Sequence, residues 1–176
     1  LTDQDNGIIL EDCEGELLRQ AEGYFIQLGS KVNEMLNTIG FNLCRGGNMA
    51  GNPLWCKPLS VWKRYFSEWI RIPDPANLLE ISIFFDFRHC YGDPVLTDNL
   101  REYITNDLIT NDIFFHHMAA AWKEFNPSDD ILRKDRVDIK KIMMPLTGLV
   151  RLYSLKHGIR ANSTVGRLTG LYESNC

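Results

Sequence analysis

The residues best suited to chemistry come at the start of the chain. Asp3 and Asp5 stand two apart in Thr2-Asp3-Gln4-Asp5-Asn6-Gly7 and run into the aliphatic Ile8-Ile9-Leu10. In an extended segment, residues i and i+2 project to the same side. The two carboxylates then sit together at the end of a buried strand and repel each other unless a cation lies between them. Oxygen ligands suit Mg2+ (or Mn2+), and Mg2+ keeps several waters and also takes substrate phosphate oxygens. The pair therefore points to phosphoryl or nucleotidyl transfer. The plain alternative is a polar strand end, because Asp-x-Asp is common in turns.

A third acid stands in an unusual place. Asp86 lies inside Ile83-Phe84-Phe85-Asp86-Phe87-Arg88, a run that reads as a strand. Phe85 and Phe87 would face one side, and Phe84, Asp86 and Arg88 the other. A carboxylate in so apolar a run is costly to bury unless it is paired or bound to a metal. An Asp86–Arg88 pair on a sheet surface is the simpler reading.

The motifs form an ordered set. Thr2-Asp3-Gln4-Asp5-Asn6 is followed by Gly46-Gly47-Asn48-Met49-Ala50, Asn52-Pro53-x-Trp55, Trp62 and Trp69. Then come Phe84-Phe85-Asp86-Phe87-Arg88, Tyr91-Gly92-Asp93, Asp138-x-Lys140, Pro145, Arg151 and Thr164-x-x-Arg167-Leu168. Spread over nearly the whole chain, they resemble a nucleotidyltransferase family of bacterial signal-transduction proteins that carry CBS or cyclic-nucleotide-binding domains. That family is similar to the protein-PII uridylyltransferases, within the DNA polymerase beta-like superfamily. The resemblance implies an α+β fold: a truncated polymerase-beta-like nucleotidyltransferase core with a small mixed sheet, residues 1–93, followed by an all-helical, substrate-binding-like lobe, residues 94–176. It implies that Asp3, Asp5 and Asp86 are the catalytic, metal-holding carboxylates, with Asp86 facing the other two from a neighbouring strand. Two Mg2+ ions held this way activate the acceptor hydroxyl and steady the triphosphate of a nucleoside triphosphate during in-line attack. Gly47, Asn48, Arg88, Lys140, Arg151 and Arg167 are the matching substrate-binding candidates, and Lys141 stands beside them. Each cation has the alternative of an ordinary surface or capping charge. A PII-like protein acceptor and regulatory domains in the same parent chain are the partners implied.

One departure matters. The superfamily places a Gly-Ser pair at a helix N-terminus upstream of the aspartates, where exposed amides suit a triphosphate. Leu1 lies two residues before Asp3, so that element is not in this sequence, and Gly29-Ser30 follows the aspartates inside a helical pattern. The expectation is a fragment cut inside the catalytic domain, unable to transfer nucleotide by itself.

The elements that must position these residues follow from periodicity. Glu14 to about Ile39 reads as one helix, with Leu18, Ala21, Phe25, Leu28, Val32, Leu36 and Ile39 as its core stripe and Gly40 as its stop. Gly23 and Gly29 weaken the helix slightly and offer points of close packing. Phe41 to Cys44 reads as a short strand. Three glycines between Gly46 and Gly51 mark a backbone that turns sharply or approaches something closely. Pro58 to Ile70 reads as a helix with Leu59, Trp62, Phe66 and Trp69 on its apolar face. Asp74-Pro75 is a helix start. From Asp93-Pro94 onward the patterning is helical: Leu96, Leu100, Tyr103, Ile104 and Leu108, then Phe114, Phe115, Met118, Trp122 and Phe125, with a break at Asn126 to Asp130. Pro145 opens or kinks a further helix bearing Leu146, Leu149, Val150 and Tyr153, ended by Gly158. Asn162-Ser163-Thr164 caps a last helix with Val165 and Leu168.

Composition narrows the field. With 176 residues, 44% of them hydrophobic, the chain suits one domain or two small lobes. A net charge of −4 gives no basic field and argues against a nucleic-acid partner, and with it against a metal-dependent nuclease. No apolar run approaches the ~20 residues of a membrane helix, and no signal segment opens the chain. Five cysteines without Cys-x-x-Cys spacing read as free thiols of a reducing, cytoplasmic compartment. His116 and His117 are adjacent and read as helix-surface residues. The competing class is a non-catalytic interaction or ligand-sensing module.

Overall fold

A computed structural model describes residues 3–72, 84–124 and 139–176. It is an α+β chain of six helices and a small sheet among the described residues. β1 (Ile8–Leu10) pairs in parallel with β2 (Cys56–Pro58), Ile8 opposite Cys56 and Leu10 opposite Pro58. Parallel neighbours need a long crossover, and α1 (Gly15–Thr38) lies in it. α2 (Leu59–Arg71) follows β2 directly. The remaining helices are α3 (Pro94–Ile109), α4 (Asp112–Glu124), α5 (Ile139–Lys156) and α6 (Thr164–Glu173). No described helix is long and apolar enough to cross a membrane.

Two compact units interleave along the chain. The first is Leu1–Tyr65 with His89–Arg101, and the second is Phe66–Arg88 with Glu102–Cys176. Asp93 falls inside the segment that clusters with the first unit. The expected helix start at Asp74-Pro75, the residue Ile83, and the break at Asn126 to Asp130 lie outside the described residues.

In the first unit, α1 turns a narrower face inward than its apolar spacing suggests. Gly29 and Asn33 are its buried residues, while Leu28, Val32 and Ile39 are exposed. The reason is close approach. A Cβ on Gly29 would stand 2.6 Å from the carbonyl carbon of Ala50, so only glycine lets the backbone at Ala50 sit this near the helix. Gly23, on the same helix, has open space around its Cα. Gly29→Ala is therefore expected to destabilise the protein by about 1–3 kcal/mol through overpacking. Gly23→Ala should stabilise it by up to about 1 kcal/mol through helix propensity. Urea melts of the two variants check the contrast.

α2 buries Leu59, Trp62, Phe66 and Trp69, as its spacing predicts. Trp62 Nε1 donates to the carbonyl of Ile8 at 3.0 Å, fixing β1 against the helix. The side chain of Asp12 accepts from the amide of Ser60, in the first turn of α2. Phe41 to Cys44 is not a strand; the carbonyl of Asn42 accepts from the amide of Gln4, that of Phe41 from the Gln4 side chain, and that of Cys44 from the amide of Gly47.

The second unit is built around aromatic contacts. Phe85 packs on Phe66 at 5.6 Å and on Phe114 at 5.9 Å between ring centroids, and Phe84 stacks on Trp69. Leu108, Phe114, Phe115 and Met118 are buried on α3 and α4, and His116 and His117 are exposed. Pro145 lies within α5 rather than opening it. Gly158, at φ +67°, follows the end of the helix, as expected of a left-handed stop. The side chain of Ser163 accepts from the amide of Gly166 and caps α6.

Two sequence expectations are corrected here. Phe84-Phe85-Asp86 is the end of a helical turn and not a strand. Among the described residues, the hydrogen-bonded neighbour of β1 is β2, not the segment around Asp86. Burial explains the change: both Phe84 and Phe85 are inside, which a strand with alternating faces cannot achieve against one core. The expected apolar faces of α5 and α6 also differ. Leu146, Leu149, Tyr153, Val165 and Leu168 are exposed, while Ser154 and Arg167 are buried beside Val150, Leu152 and Leu171. A cation claims the inner face because a carboxylate waits for it there.

Candidate functional site

The segment carrying the paired aspartates is held by amides, not by a ladder. Asp3 and Asp5 are exposed, and Gln4 between them is buried, in a segment that precedes β1 and is not itself part of the strand. Gln4 is the anchor. Its Nε2 donates to the carbonyls of Asn33, at 3.0 Å, and Phe41, at 2.8 Å, while its Oε1 accepts from Asn33 Nδ2. Asn33 Nδ2 also donates to Asn6 Oδ1 at 3.1 Å, and its own Oδ1 accepts from the amide of Gly51. Asn6 Oδ1 takes the amide of Ala50 at 2.8 Å, and the amide of Asn6 donates to the carbonyl of Asn48. Three amide side chains on two elements thus tie the acidic segment to the glycine loop.

That loop holds its own shape. Gly47, at φ +72°, adopts the left-handed conformation that glycine favours, and its carbonyl accepts from Asn52 Nδ2. Asn52 Oδ1 in turn accepts from the amide of Leu54. Gly47 lines a shallow cleft of about 310 Å3 with Ser30, Asn33, Glu34, Met49 and Asn52. Asn48 is buried. The thiol of Cys44 is pushed above its ordinary pKa, first by desolvation and further by Asp5, which accepts its hydrogen bond; backbone bonds from Asn48 and Gly46 work the other way.

Asp86 is placed in the second unit and is fully engaged there. Arg151 of α5 donates to its Oδ2 at 2.5 Å, and Arg167 of α6 donates to both oxygens. The anticipated partner Arg88 is exposed and is not the residue that Asp86 holds. The side chain of Lys140 lies outside the described residues. Among the described residues, no group of three or more His, Cys, Asp or Glu side chains is placed to hold a metal ion. Of the residues singled out in the sequence, the structure brings together Asp86, Arg151 and Arg167.

The sequence reading missed Gln4, Asn6, Asn33 and Cys44. One signal was present. Asn33 stands four residues after Gly29, so the two share a helical face on which a glycine and an amide interrupt the apolar side chains of Phe25 and Leu36.

Two segments of the chain are similar to known protein families. Residues 1–76 match the family described as "Putative nucleotidyltransferase DUF294", and residues 105–175 match "Putative nucleotidyltransferase substrate binding domain". The chain thus carries two segments, each similar to one of these two families. Searches of curated proteins and of solved structures gave no match. The acidic segment, the glycine loop and β2 all fall within the first matched segment, residues 1–76, whereas Arg151 and Arg167 fall within the second, residues 105–175.

Proposed function

We propose that this nucleotidyltransferase-like chain uses Asp3 and Asp5 to hold a divalent cation, Mg2+ or Mn2+, against the phosphates of a nucleoside triphosphate. The observation that carries the reading is the placement of the two carboxylates. Both are exposed and flank Gln4, which is buried and locked by three hydrogen bonds. The donor set fits the ion, since Mg2+ is commonly bound through one or two carboxylates with waters and substrate phosphates completing the shell. The cation would supply charge neutralisation and would orient the phosphate oxygens. The chain's own contribution is to fix the carboxylates in advance, so that little ordering remains on binding. The Gly47 cleft beside them is the candidate place for the substrate. A reducing, cytoplasmic setting fits the five free thiols.

The test is a thermal melt with and without Mn2+. A ligand that binds only the folded state stabilises it by mass action, and a gain of 1 kcal/mol raises Tm by about 2–4 °C for a chain of this size. Wild type should gain several degrees at saturating Mn2+. Asp3→Asn combined with Asp5→Asn should abolish the gain and leave the starting Tm within about 2 °C, because both side chains are exposed. An equal metal response in the two proteins removes the reading.

One observation favours a second reading, a docking module without transfer chemistry. Leu17, Tyr24, Val32, Met35 and Ile39 are exposed on α1, more apolar surface than a solvated helix needs. That reading predicts no metal response in either protein.

A further inference from the structure

Arg151, Arg167 and Asp86 make a cluster of two cations and one anion in the second unit. The side chains are 18% exposed for Arg151, 4% for Arg167 and 26% for Asp86. Arginine is not deprotonated in a protein, so among the described residues the cluster sets two positive charges against one negative. Its donors outnumber its acceptors as well. Arg151 Nε and Arg167 Nε are buried without a hydrogen-bond partner, and so is Ser154 Oγ, one turn beyond Arg151 on the same side of α5. Buried polar groups are normally satisfied, and exceptions call for an explanation. A purely structural contact between α5 and α6 has a simpler solution in apolar side chains, and these helices instead turn Leu149, Tyr153, Val165 and Leu168 outward. The least buried member is the carboxylate, on a turn, so solvent reaches the cluster from the side of Asp86.

We propose that Arg151 and Arg167 form a binding site for a phosphate-type oxyanion, and that Asp86 is its internal counter-ion, displaced when the ligand enters. A planar guanidinium pair matches a tetrahedral oxyanion with several acceptor oxygens better than it matches one carboxylate with two. The ligand takes the N–H groups that Asp86 holds together with the orphaned Nε donors, and the Ser154 hydroxyl is available as a further donor. The displaced carboxylate turns to solvent. This site is independent of the metal proposal: it lies on other residues, and either can fail while the other stands.

The experiment titrates the protein with inorganic phosphate at constant ionic strength, followed by calorimetry and by thermal melts. Pyrophosphate, a nucleoside monophosphate and acetate are run in parallel. Wild type should bind phosphate weakly, because Asp86 competes for the same donors. Asp86→Asn should bind it at least tenfold more tightly and should show a larger phosphate-dependent rise in Tm than wild type. Arg151→Gln should weaken binding at least tenfold. Stronger binding of pyrophosphate or of the monophosphate than of phosphate identifies the source of the oxyanion, and all three should exceed acetate. Where Asp86→Asn does not fold in phosphate-free buffer, it is purified in phosphate, and folding restored by phosphate but not by chloride supports the site. Three results overturn the proposal: no phosphate binding by wild type and Asp86→Asn alike, equal affinities in both, or an Asp86→Asn protein that stays unfolded in phosphate.

Discussion

Arg167→Ala is expected to destabilise the second unit by about 3–5 kcal/mol, among the largest effects of any single substitution outside the aromatic core. Arg167 is almost completely buried and donates to both oxygens of Asp86. Removing it leaves Asp86 with Arg151 alone and opens a void on the inner face of α6. The cost comes mainly from the stranded charges and not from the worth of the ion pair itself, because desolvation consumes much of the attraction between buried charges. Two controls separate these contributions. Arg160→Ala, at an exposed position, should change stability by no more than about 0.5 kcal/mol. The triple variant Asp86→Leu, Arg151→Met, Arg167→Met should recover most of the loss, since apolar side chains of similar volume often replace buried ion pairs without penalty. Urea unfolding followed by fluorescence of Trp69, which lies in the same unit, measures all three. A loss below about 1 kcal/mol for Arg167→Ala would mean that the cluster is more hydrated than its burial indicates.

Asn33→Ala should have the second large effect, about 2–4 kcal/mol, through a different mechanism. One side chain satisfies Gln4, Asn6 and the amide of Gly51 at once. Its removal strands buried polar groups, each at a cost of about 1–3 kcal/mol when no water replaces the partner. The functional consequence should be as large as the structural one. Gln4 is the residue between the two aspartates, and Asn33 is its principal holder. With Gln4 loosened, Asp3 and Asp5 lose their fixed spacing, and the Mn2+-dependent rise in Tm should fall to less than half of the wild-type value. An Asn33→Ala protein that is destabilised but keeps the full metal response would place the origin of carboxylate geometry in the backbone bonds of Gln4 and Asn6 to the loop, not in the side-chain network.

Much of the fold was legible in the sequence, for reasons that can be named. α1, α2 and α3 announce themselves by apolar residues at three- and four-residue steps, and α2 buries the four residues its spacing selects. Gly40, Gly158 and Ser163 mark helix ends by local stereochemistry alone, through left-handed backbone or a side-chain cap. What periodicity failed to give is which side of a helix wins when two are available. On α1 the winner is set by Gly29 against Ala50, a contact across the fold that no stripe of leucines reveals. On α5 and α6 it is set by Asp86, far away in sequence, which draws Arg151 and Arg167 inward and leaves leucine and valine outside.

The sequence by itself determined the extents of α1 and α2, the caps and the glycine loop, because each depends on residues within a few positions of one another. Only the tertiary structure decided that Asp86 sits on a turn bound to two arginines, and that Gln4, Asn6 and Asn33 lock the acidic segment to the loop. The physical reason is the same in both cases. A buried polar group must find its partner wherever the chain brings one, and the partner's distance in sequence leaves no periodic trace.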